Sequence, residues 1–278
     1  MKRLNNRFAI EMTSNFSSKL STQTQDGGRD PSARLYFLYH EISPSPAGYT
    51  YALDKASFRE HLEVFARARA YDTGWLWPEV TFDDGHVSNL DCALPLLSEF
   101  RIAAHFFITV GWTSQRPNYL TWAQIRELQD AGQRIGAHGW SHTLLTHCPD
   151  DQLDLELRSA RERLEDELGT PITTMSLPGG RMNRRVLEAC RRAGYQQVFT
   201  SIPRAEISAS AALLGRINLR TDATAEWLEA VLRPGSSLLP RMARTHHLKE
   251  FAQRALGDGL YGKLWAILNR ATSDAHDA

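Results

Sequence analysis

Residues 80–85 read Val80-Thr81-Phe82-Asp83-Asp84-Gly85, an apolar run that ends in two adjacent acids and a glycine. A second short apolar run ends at Ala137 and is followed by His138-Gly139-Trp140-Ser141-His142. Short apolar runs bounded by turn residues are typical of buried strands. The sequence therefore predicts two strands that end beside polar side chains. Asp83 and Asp84 directly follow the first strand, and His138 directly follows the second, with His142 four residues later.

Outward from these motifs, strand-like and helix-like segments alternate along the chain. The predicted strands are Leu35–Tyr39, Val80–Phe82, Ala103–Val110, Arg134–Ala137, Thr174–Leu177 and Gln197–Ser201. The predicted helices are Lys55–Ala68, Thr121–Ala131, Asp150–Leu168 and Asn183–Ala193; Thr121 opens a capping box with Gln124, and Asp150 is a predicted cap. Such alternation implies βαβ units that build a parallel sheet or an α/β barrel.

In parallel architectures of this kind, the chemistry lies at the carboxyl ends of the strands. The Asp83 and Asp84 pair follows one predicted strand, and His138 follows another. A Pro178-Gly179-Gly180 turn follows a third. We therefore expect all three segments to open on the same face of the sheet or barrel.

Composition narrows the class of protein. The chain has 278 residues, of which 42% are hydrophobic, and its 32 basic residues balance its 32 acidic ones. A net charge of zero gives no general attraction to nucleic acid, and no run approaches the length of a membrane span. Cys92, Cys148 and Cys190 lack metal-type spacing and are typical of a reducing compartment. With no signal-peptide pattern at the N-terminus, the expected location is cytoplasmic.

Three segments differ in character. Residues 1–32 are polar, and we expect them to form a flexible leader. We expect residues 33–240 to form the barrel that carries the two motifs, and residues 241–278 to form a C-terminal helical extension. The extension contains two helical patterns, Leu248–Leu256 and Leu260–Asn269. Packing of these helices against the barrel is the first interpretation, and contact with a membrane surface or a partner protein is the alternative.

One aspartate and two histidines supply the three ligands that a hydrolytic metal site needs, with positions left for water and substrate. His138 and His142 can face one way on a helical turn or from a tight loop. Adjacent aspartates on an extended backbone point apart, so one can bind a metal while the other takes a proton from water. Each motif alone is more often structural, and their meeting on one rim favours the metal site.

The two motifs resemble those of the polysaccharide deacetylases, carbohydrate esterase family 4, also called the NodB-homology domain. The resemblance covers about residues 35–220 and includes Leu38–Ile42, Ala103–Ile108 and Leu120–Trp122. It implies a distorted parallel (β/α) barrel. It also implies that Asp83 is the base and that Asp84, His138 and His142 hold Zn²⁺, for which Co²⁺ or Ni²⁺ could substitute.

The chain departs from that family at two places. The family places an arginine before the third motif, whereas Ser176-Leu177-Pro178-Gly179-Gly180-Arg181 carries its arginine after the turn. Pro178, Gly179 and Arg181 are the predicted substrate-binding residues, and either Arg181 or Arg216 could support Asp83. The late histidine that serves as the family's general acid is absent from Leu214–Leu219. Candidates for the acid are His40, which we select, and His86.

The sequence therefore predicts a metal-dependent hydrolase that removes N-acetyl groups, or as second choice O-acetyl groups, from a sugar, oligosaccharide or polysaccharide. The metal activates a bound water as nucleophile, and Asp83 is the base. Trp112 and Trp140 either line a sugar-binding groove or pack in the core, and His105 is predicted to be a core residue. One alternative is hydrolysis of a non-carbohydrate amide or imide, and another is a catalytically impaired glycan-binding protein that retains the metal.

Overall fold

A computed structural model of the protein describes residues 33–46, 48–70, 74–208, 210–249 and 251. The predicted leader, residues 1–32, lies outside them, as do most of the two predicted C-terminal helices. The strands of the described part are β1 (Arg34–Tyr39), β2 (Glu41–Ser43), β3 (Ala52–Asp54), β4 (Trp77–Phe82), β5 (Ala104–Ile108), β6 (Arg134–Ala137), β7 (Thr174–Ser176), β8 (Gln197–Phe199), β9 (Leu213–Leu214) and β10 (Arg216–Asn218).

Most of the α-helices lie in the connections between these strands, and the last of them follows β10. They are α1 (Lys55–Ala70), α2 (Leu94–Glu99), α3 (Trp122–Asp130), α4 (Asp150–Asp154), α5 (Ala160–Leu168), α6 (Arg184–Arg192) and α7 (Ala225–Leu232). Shorter 3₁₀ turns cover Val110–Trp112, Leu145–His147 and Pro178–Gly180, and π-helical turns cover Asn89–Ala93 and Leu155–Ser159.

Eight strands form one parallel sheet in the order β10-β1-β4-β5-β6-β7-β8-β9. Its two end strands, β9 and β10, are separated in the chain by Gly215 alone. The sheet must therefore curl until its edges approach each other, and the result is a nearly closed parallel barrel surrounded by helices. This is the predicted fold class. The remaining strands, β2 and β3, pair with each other in a separate two-stranded sheet.

Alternation along β1 divides the core into two layers, as the two faces of a strand require. Outside the barrel, Phe37 stacks on Phe65 of α1 with ring centroids 4.9 Å apart. Inside it, Tyr36 packs with Phe107, Phe199 and Leu214 from three other strands. Aromatic side chains bury large apolar areas, so both layers stabilise the barrel around the site.

The predicted capping residues stand at the start of their helices in the structure, with one exception. Thr121 and Gln124 form the predicted reciprocal capping box of α3, and the Asn183 side chain accepts from the Val186 N–H at the start of α6. The prediction that Asp150 is a cap is wrong, because Pro149 occupies the cap position and Asp150 is the first helical residue. Its charge still suits that place, since acids are favourable beside a helix N-terminus.

Contacts divide the chain into two units between Ser236 and Ser237. The second unit is helical over residues 238–249 in its described part. Within the described residues, no helix combines the length and the apolar character that crossing a bilayer demands.

Candidate metal centre

The carboxylates of Asp83 and Asp84 point apart because the chain turns sharply after β4. Asp83 still follows the strand, and its N–H donates to the Tyr39 carbonyl at 3.0 Å. Asp84 has a φ of 74°, in the left-handed region that few residues other than glycine adopt. Gly85 follows with a φ of 82°. The reversal gives the two carboxylates different partners.

The two histidines meet at the end of a tight loop that follows β6, which is one of the two arrangements expected from the sequence. The His138 N–H donates to the Ile108 carbonyl at 2.8 Å, and its Nδ1 donates to the Ser176 carbonyl at 2.8 Å. A neutral imidazole that donates through Nδ1 keeps the Nε2 lone pair available for a metal. His142 has a φ of 63°, and its ring centroid lies 5.0 Å from that of His138.

Asp84, His138 and His142 bring one oxygen and two nitrogens to a common point. Asp84 Oδ1 lies 3.3 Å from His138 Nε2 and 3.2 Å from His142 Nε2, and all three ligand atoms fall within 4.8 Å of one another. Asp84 Oδ1 is buried and accepts no well-directed hydrogen bond from the described residues. One carboxylate oxygen and two imidazole nitrogens that converge in this way suit Zn²⁺ or a similar divalent ion.

The pKa values of Asp84 and His138 are shifted by the charges around them. Burial alone raises the pKa of Asp84, but the imidazoles of His138 and His142 outweigh burial and hold that pKa well below its usual range. Burial alone lowers the pKa of His138, but the Asp83 and Asp84 carboxylates reverse the effect and raise it. Asp84 is therefore ionised, and the two carboxylates favour positive charge at the position of His138.

Asp83 is held by Arg216 of β10, which crosses the interior of the barrel. Arg216 Nη1 donates to Asp83 Oδ1 at 2.7 Å, and Nη2 donates to Oδ2 at 2.9 Å. The Ser176 hydroxyl donates to Asp83 Oδ2 at 2.9 Å. Burial would raise the pKa of Asp83, but the guanidinium outweighs it and the pKa is lowered. Asp83 is therefore an ionised carboxylate, 3.8 Å from His138 Nε2.

Arg216 is fully buried, with its guanidinium carbon 5.5 Å from the Phe107 ring centroid and 5.8 Å from that of Phe199. The contact with Asp83 that the sequence left open between Arg181 and Arg216 is therefore made by Arg216. Arg181 lies after the 178–180 turn and is half-buried. Its role as a substrate-binding residue remains a prediction.

Two other histidines stand near the centre. His40 directly follows β1, and the charges of Asp84 and Asp83 act on it, although burial dominates and lowers its pKa. Its Nδ1 is buried and has no hydrogen-bond partner among the described residues. His86 is engaged instead: its Nδ1 pairs with the Ser88 hydroxyl at 2.8 Å, and its Nε2 lies 3.9 Å from Glu41.

The remaining predicted residues fall into two groups. Pro178 is buried and Gly179, with a φ of 64°, is exposed on the turn that follows β7. Trp112 is half-buried, and its ring centroid lies 5.0 Å from that of His142, at the edge of the centre. Trp140 is also half-buried. His105 is a core residue, as predicted, with its Nε2 2.9 Å from the Thr174 hydroxyl.

Sequence reasoning missed Ser176, which contacts both His138 and Asp83. One signal could have found it, because it ends the strand that leads into the Pro178-Gly179-Gly180 turn. It also assigned no definite partner to Arg216, because the distance along the chain between residues 83 and 216 carries no information about their meeting inside a barrel.

Comparison with known proteins gives the same picture. The family described as Polysaccharide deacetylase matches residues 79–198. The Bacillus subtilis protein YxkH is 26% identical over 62% of this chain and 66% of its own length. The Bacillus subtilis peptidoglycan-N-acetylmuramic acid deacetylase PdaA is 30% identical over 44% of this chain and 46% of its own length. The matched part thus spans less than two thirds of either relative.

Among solved structures, the Streptococcus pyogenes deacetylase PplD in complex with acetate superposes with a TM-score of 0.65. The match covers 74% of this chain and 100% of that one, at 20% sequence identity, and it shows the shared fold. Both motifs, residues 80–85 and 138–142, lie inside the segment that the family matches. Residues 79–198 of this chain, which hold both motifs, therefore match the polysaccharide deacetylase family, and the solved structure shows the same fold.

Proposed function

We propose that the protein is a metal-dependent deacetylase that removes N-acetyl groups from a carbohydrate. The observation that carries the proposal is the cluster of Asp84, His138 and His142, beside an ionised carboxylate that is not part of it. A divalent ion held by these three residues would polarise the acetyl carbonyl and lower the pKa of a coordinated water.

Asp83 has the position and charge of a general base. Its carboxylate is ionised by Arg216 and oriented by three hydrogen bonds, so it can accept the proton that an attacking water loses. Arg216 cannot itself serve as the acid, because a guanidinium keeps its protons in proteins. Its role is to hold Asp83 in place.

His40 is the proposed proton donor to the leaving amine. Its ring lies within the field of Asp83 and Asp84, and its buried Nδ1 has no partner in the described part of the chain. An unsatisfied buried nitrogen at the rim of a reaction site is available to a substrate atom. His86, which is already engaged by Ser88, is the weaker candidate.

An acetylated amino sugar is the proposed substrate class. PdaA, by its name, acts on N-acetylmuramic acid of peptidoglycan, and other relatives are named as peptidoglycan N-acetylglucosamine and chitooligosaccharide deacetylases. These names vary in the sugar and share the N-acetyl group. We therefore propose that this protein hydrolyses the same bond, the amide of an N-acetyl group. Experiment must identify the sugar and its carrier.

Metal content and turnover together test the proposal. Protein purified without added metal should contain about one equivalent of a divalent ion by elemental analysis, given one three-ligand site. His138→Ala and His142→Ala should each lose most of it. Wild-type metal content in both variants would remove the assignment.

Turnover on a substrate panel separates the rival activities. The panel should contain acetylated glucosamine oligomers, a lipid-linked or nucleotide-linked N-acetyl sugar, O-acetylated sugars, and non-carbohydrate amides and imides. Release of acetate from the N-acetyl sugars supports the proposal, whereas turnover of the amides and imides alone would replace it. A fully metal-loaded protein that turns over none of these compounds would be a glycan-binding protein instead.

A further inference from the structure

Glu156 is a buried carboxylate outside the predicted site. It lies in the π-helical turn Leu155–Ser159, and its exposed fraction is 1%, while its neighbour Leu155 is 45% exposed. Glutamate is almost never buried fully unless it is paired, and leucine ordinarily takes the buried place. This inversion indicates that the carboxylate has a specific task inside the protein.

Its partners all belong to the loop between the two histidines. Glu156 Oε2 accepts from the Trp140 N–H at 2.7 Å and from the Ser141 N–H at 2.9 Å. Its Oε1 accepts from the Ser141 hydroxyl. A side chain added at Gly139 would come within 2.9 Å of Oε2, so the glycine allows the carboxylate to lie directly against the loop.

The two histidines depend on this contact to different degrees. His138 is anchored by the sheet through its N–H and by the Ser176 carbonyl through its ring. His142 comes after the loop has turned, in a left-handed conformation that is unfavourable for a residue with a side chain. The hydrogen bonds to Glu156 fix the two residues that immediately precede His142.

Glu156 reaches the loop from the buried face of a helix. In the continuous helix formed by α4, the π-helical turn and α5, Leu153, Leu157, Ala160 and Leu164 form the buried stripe. Position 156 lies three residues after Leu153 and four before Ala160, so its side chain belongs to the same face. Glu156 also lies within a π-turn, and such turns are frequent at functional sites.

We propose that Glu156 is a positioning residue that holds the 139–141 turn so that His142 can share a metal ion with Asp84 and His138. The inference rests on the proposed function, because it concerns the same three ligands. Glu156 lies in no motif named for the family and contacts no ligand atom, and it acts through the backbone of the loop.

The test measures Co²⁺ affinity by its visible absorption, together with the melting temperature of the metal-free protein. Glu156→Ala should weaken Co²⁺ binding at least tenfold. Glu156→Gln should weaken it less, because the amide oxygen still accepts from the loop N–H groups while the amide nitrogen can donate to the Ser141 hydroxyl. Glu162→Gln, at an exposed position of α5, is the matched control and should change nothing.

A double-variant comparison identifies the route of the effect. In a His142→Ala background, Glu156→Gln should add little further loss of affinity, whereas in wild type its loss should be measurable. If folded Glu156→Gln binds Co²⁺ as wild type does and only melts earlier, the residue is merely structural and the inference is overturned. If Glu156→Ala does not fold, the glutamine variant alone decides.

The same titration separates this inference from the proposal beneath it. A wild-type protein that binds no Co²⁺ would sink the proposed function and the inference with it. A wild-type protein that binds Co²⁺ while both Glu156 variants match it would sink the inference alone.

Discussion

At the scale of single residues, the pair of Arg216 and Asp83 is the costliest feature of the site. Both side chains are almost fully buried, and removing water from two charges costs several kcal/mol per ion, roughly, before their attraction is counted. The bidentate contact and the Ser176 hydroxyl offset that cost. Neither partner can therefore be removed without leaving an unpaired charge inside the barrel.

Replacement of each aspartate separates the base from the ligand. Asp83→Asn should keep the metal and lower kcat by about 10²- to 10⁴-fold, the usual contribution of a general base. Asp84→Asn should instead lose the metal, because it removes one of three ligands. Elemental analysis and steady-state kinetics check both outcomes.

Stability provides the control for this pair of variants. Asp83→Asn leaves Arg216 without its counter-ion and should lose about 3–5 kcal/mol of unfolding free energy, measured by denaturant titration. Assays should therefore be run at low temperature with circular dichroism to confirm folding. A metal-poor Asp83→Asn together with a metal-loaded Asp84→Asn would exchange the two roles.

The role of His40 as proton donor can be tested with two substrates whose leaving groups differ in their need for a proton. An amine must be protonated as it leaves, whereas a phenolate from an aryl acetate need not be. His40→Ala should therefore lower kcat on an N-acetyl sugar oligomer by about 10²-fold or more, with metal content intact and aryl acetate turnover little changed.

His86→Ala is the comparison, since the His86 ring is already bonded to Ser88 and should contribute little to turnover. Equal loss on both substrates in His40→Ala would mean that His40 positions the substrate and donates no proton. A selective loss in His86→Ala instead would transfer the acid role to that residue.

At the scale of elements, α1 is attached to the barrel by an aromatic layer and by polar contacts, among them those of Arg69 with the Pro78 carbonyl and those of His61. His61 Nδ1 lies 3.0 Å from the Tyr39 hydroxyl, and Nε2 lies 2.8 Å from the Ala223 carbonyl. Burial lowers the pKa of His61 to about 4, and the Ala223 carbonyl opposes this only in part. The histidine is therefore neutral in the folded protein at neutral pH.

The contacts of His61 predict a defined loss of stability in mild acid. The folded pKa of His61 is below its unfolded value, so folding favours the neutral form and stability is full above about pH 6.5. Between about pH 6.5 and 4 the unfolded chain takes up the proton first, and about 3 kcal/mol of stability should be lost. His61→Gln, which keeps hydrogen-bonding groups, should flatten that part of the pH profile in denaturant titrations.

Other buried histidines contribute to the wild-type profile, His105 among them. For that reason the relevant quantity is the difference between the wild-type and His61→Gln profiles. Parallel profiles from pH 7 to 4 would contradict the prediction.

At the scale of the whole molecule, the proposed metal ligands lie on parts of the barrel rim that the sheet does not pair directly. Asp84 follows β4 and the two histidines follow β6, while β5 lies between these strands. An ion bound to all three would link the two segments in the folded state only. Metal should therefore stabilise the protein as well as activate it.

Removal of metal by a chelator should lower the melting temperature. At a metal concentration of about 100 times Kd, binding contributes about 2.7 kcal/mol. For a protein of this size we expect a drop of roughly 5–10 °C. Differential scanning calorimetry with and without chelator measures the change, and Asp84→Asn should show none. A chelator effect that persists in that variant would place the stabilising ion elsewhere.

The sequence by itself determined the class of fold and the three metal-ligand candidates. Hydrophobic periodicity, turn residues and helix caps are local signals. Strands such as 134–137 and the capping box at Thr121 could therefore be predicted from the sequence alone. Parallel strands necessarily expose their carboxyl ends on one face, and the sequence alone therefore predicts that Asp84 and His138 lie together.

The tertiary structure alone decided which residues hold Asp83 and the loop between the two histidines in place. Arg216 reaches Asp83 because the sheet closes and brings β10 beside β1, and Glu156 reaches the histidine loop because its helix packs its buried face against that loop. Both are charges buried at long sequence separation. Their burial is tolerated only where distant partners satisfy them, and no local pattern of residues records where those partners lie.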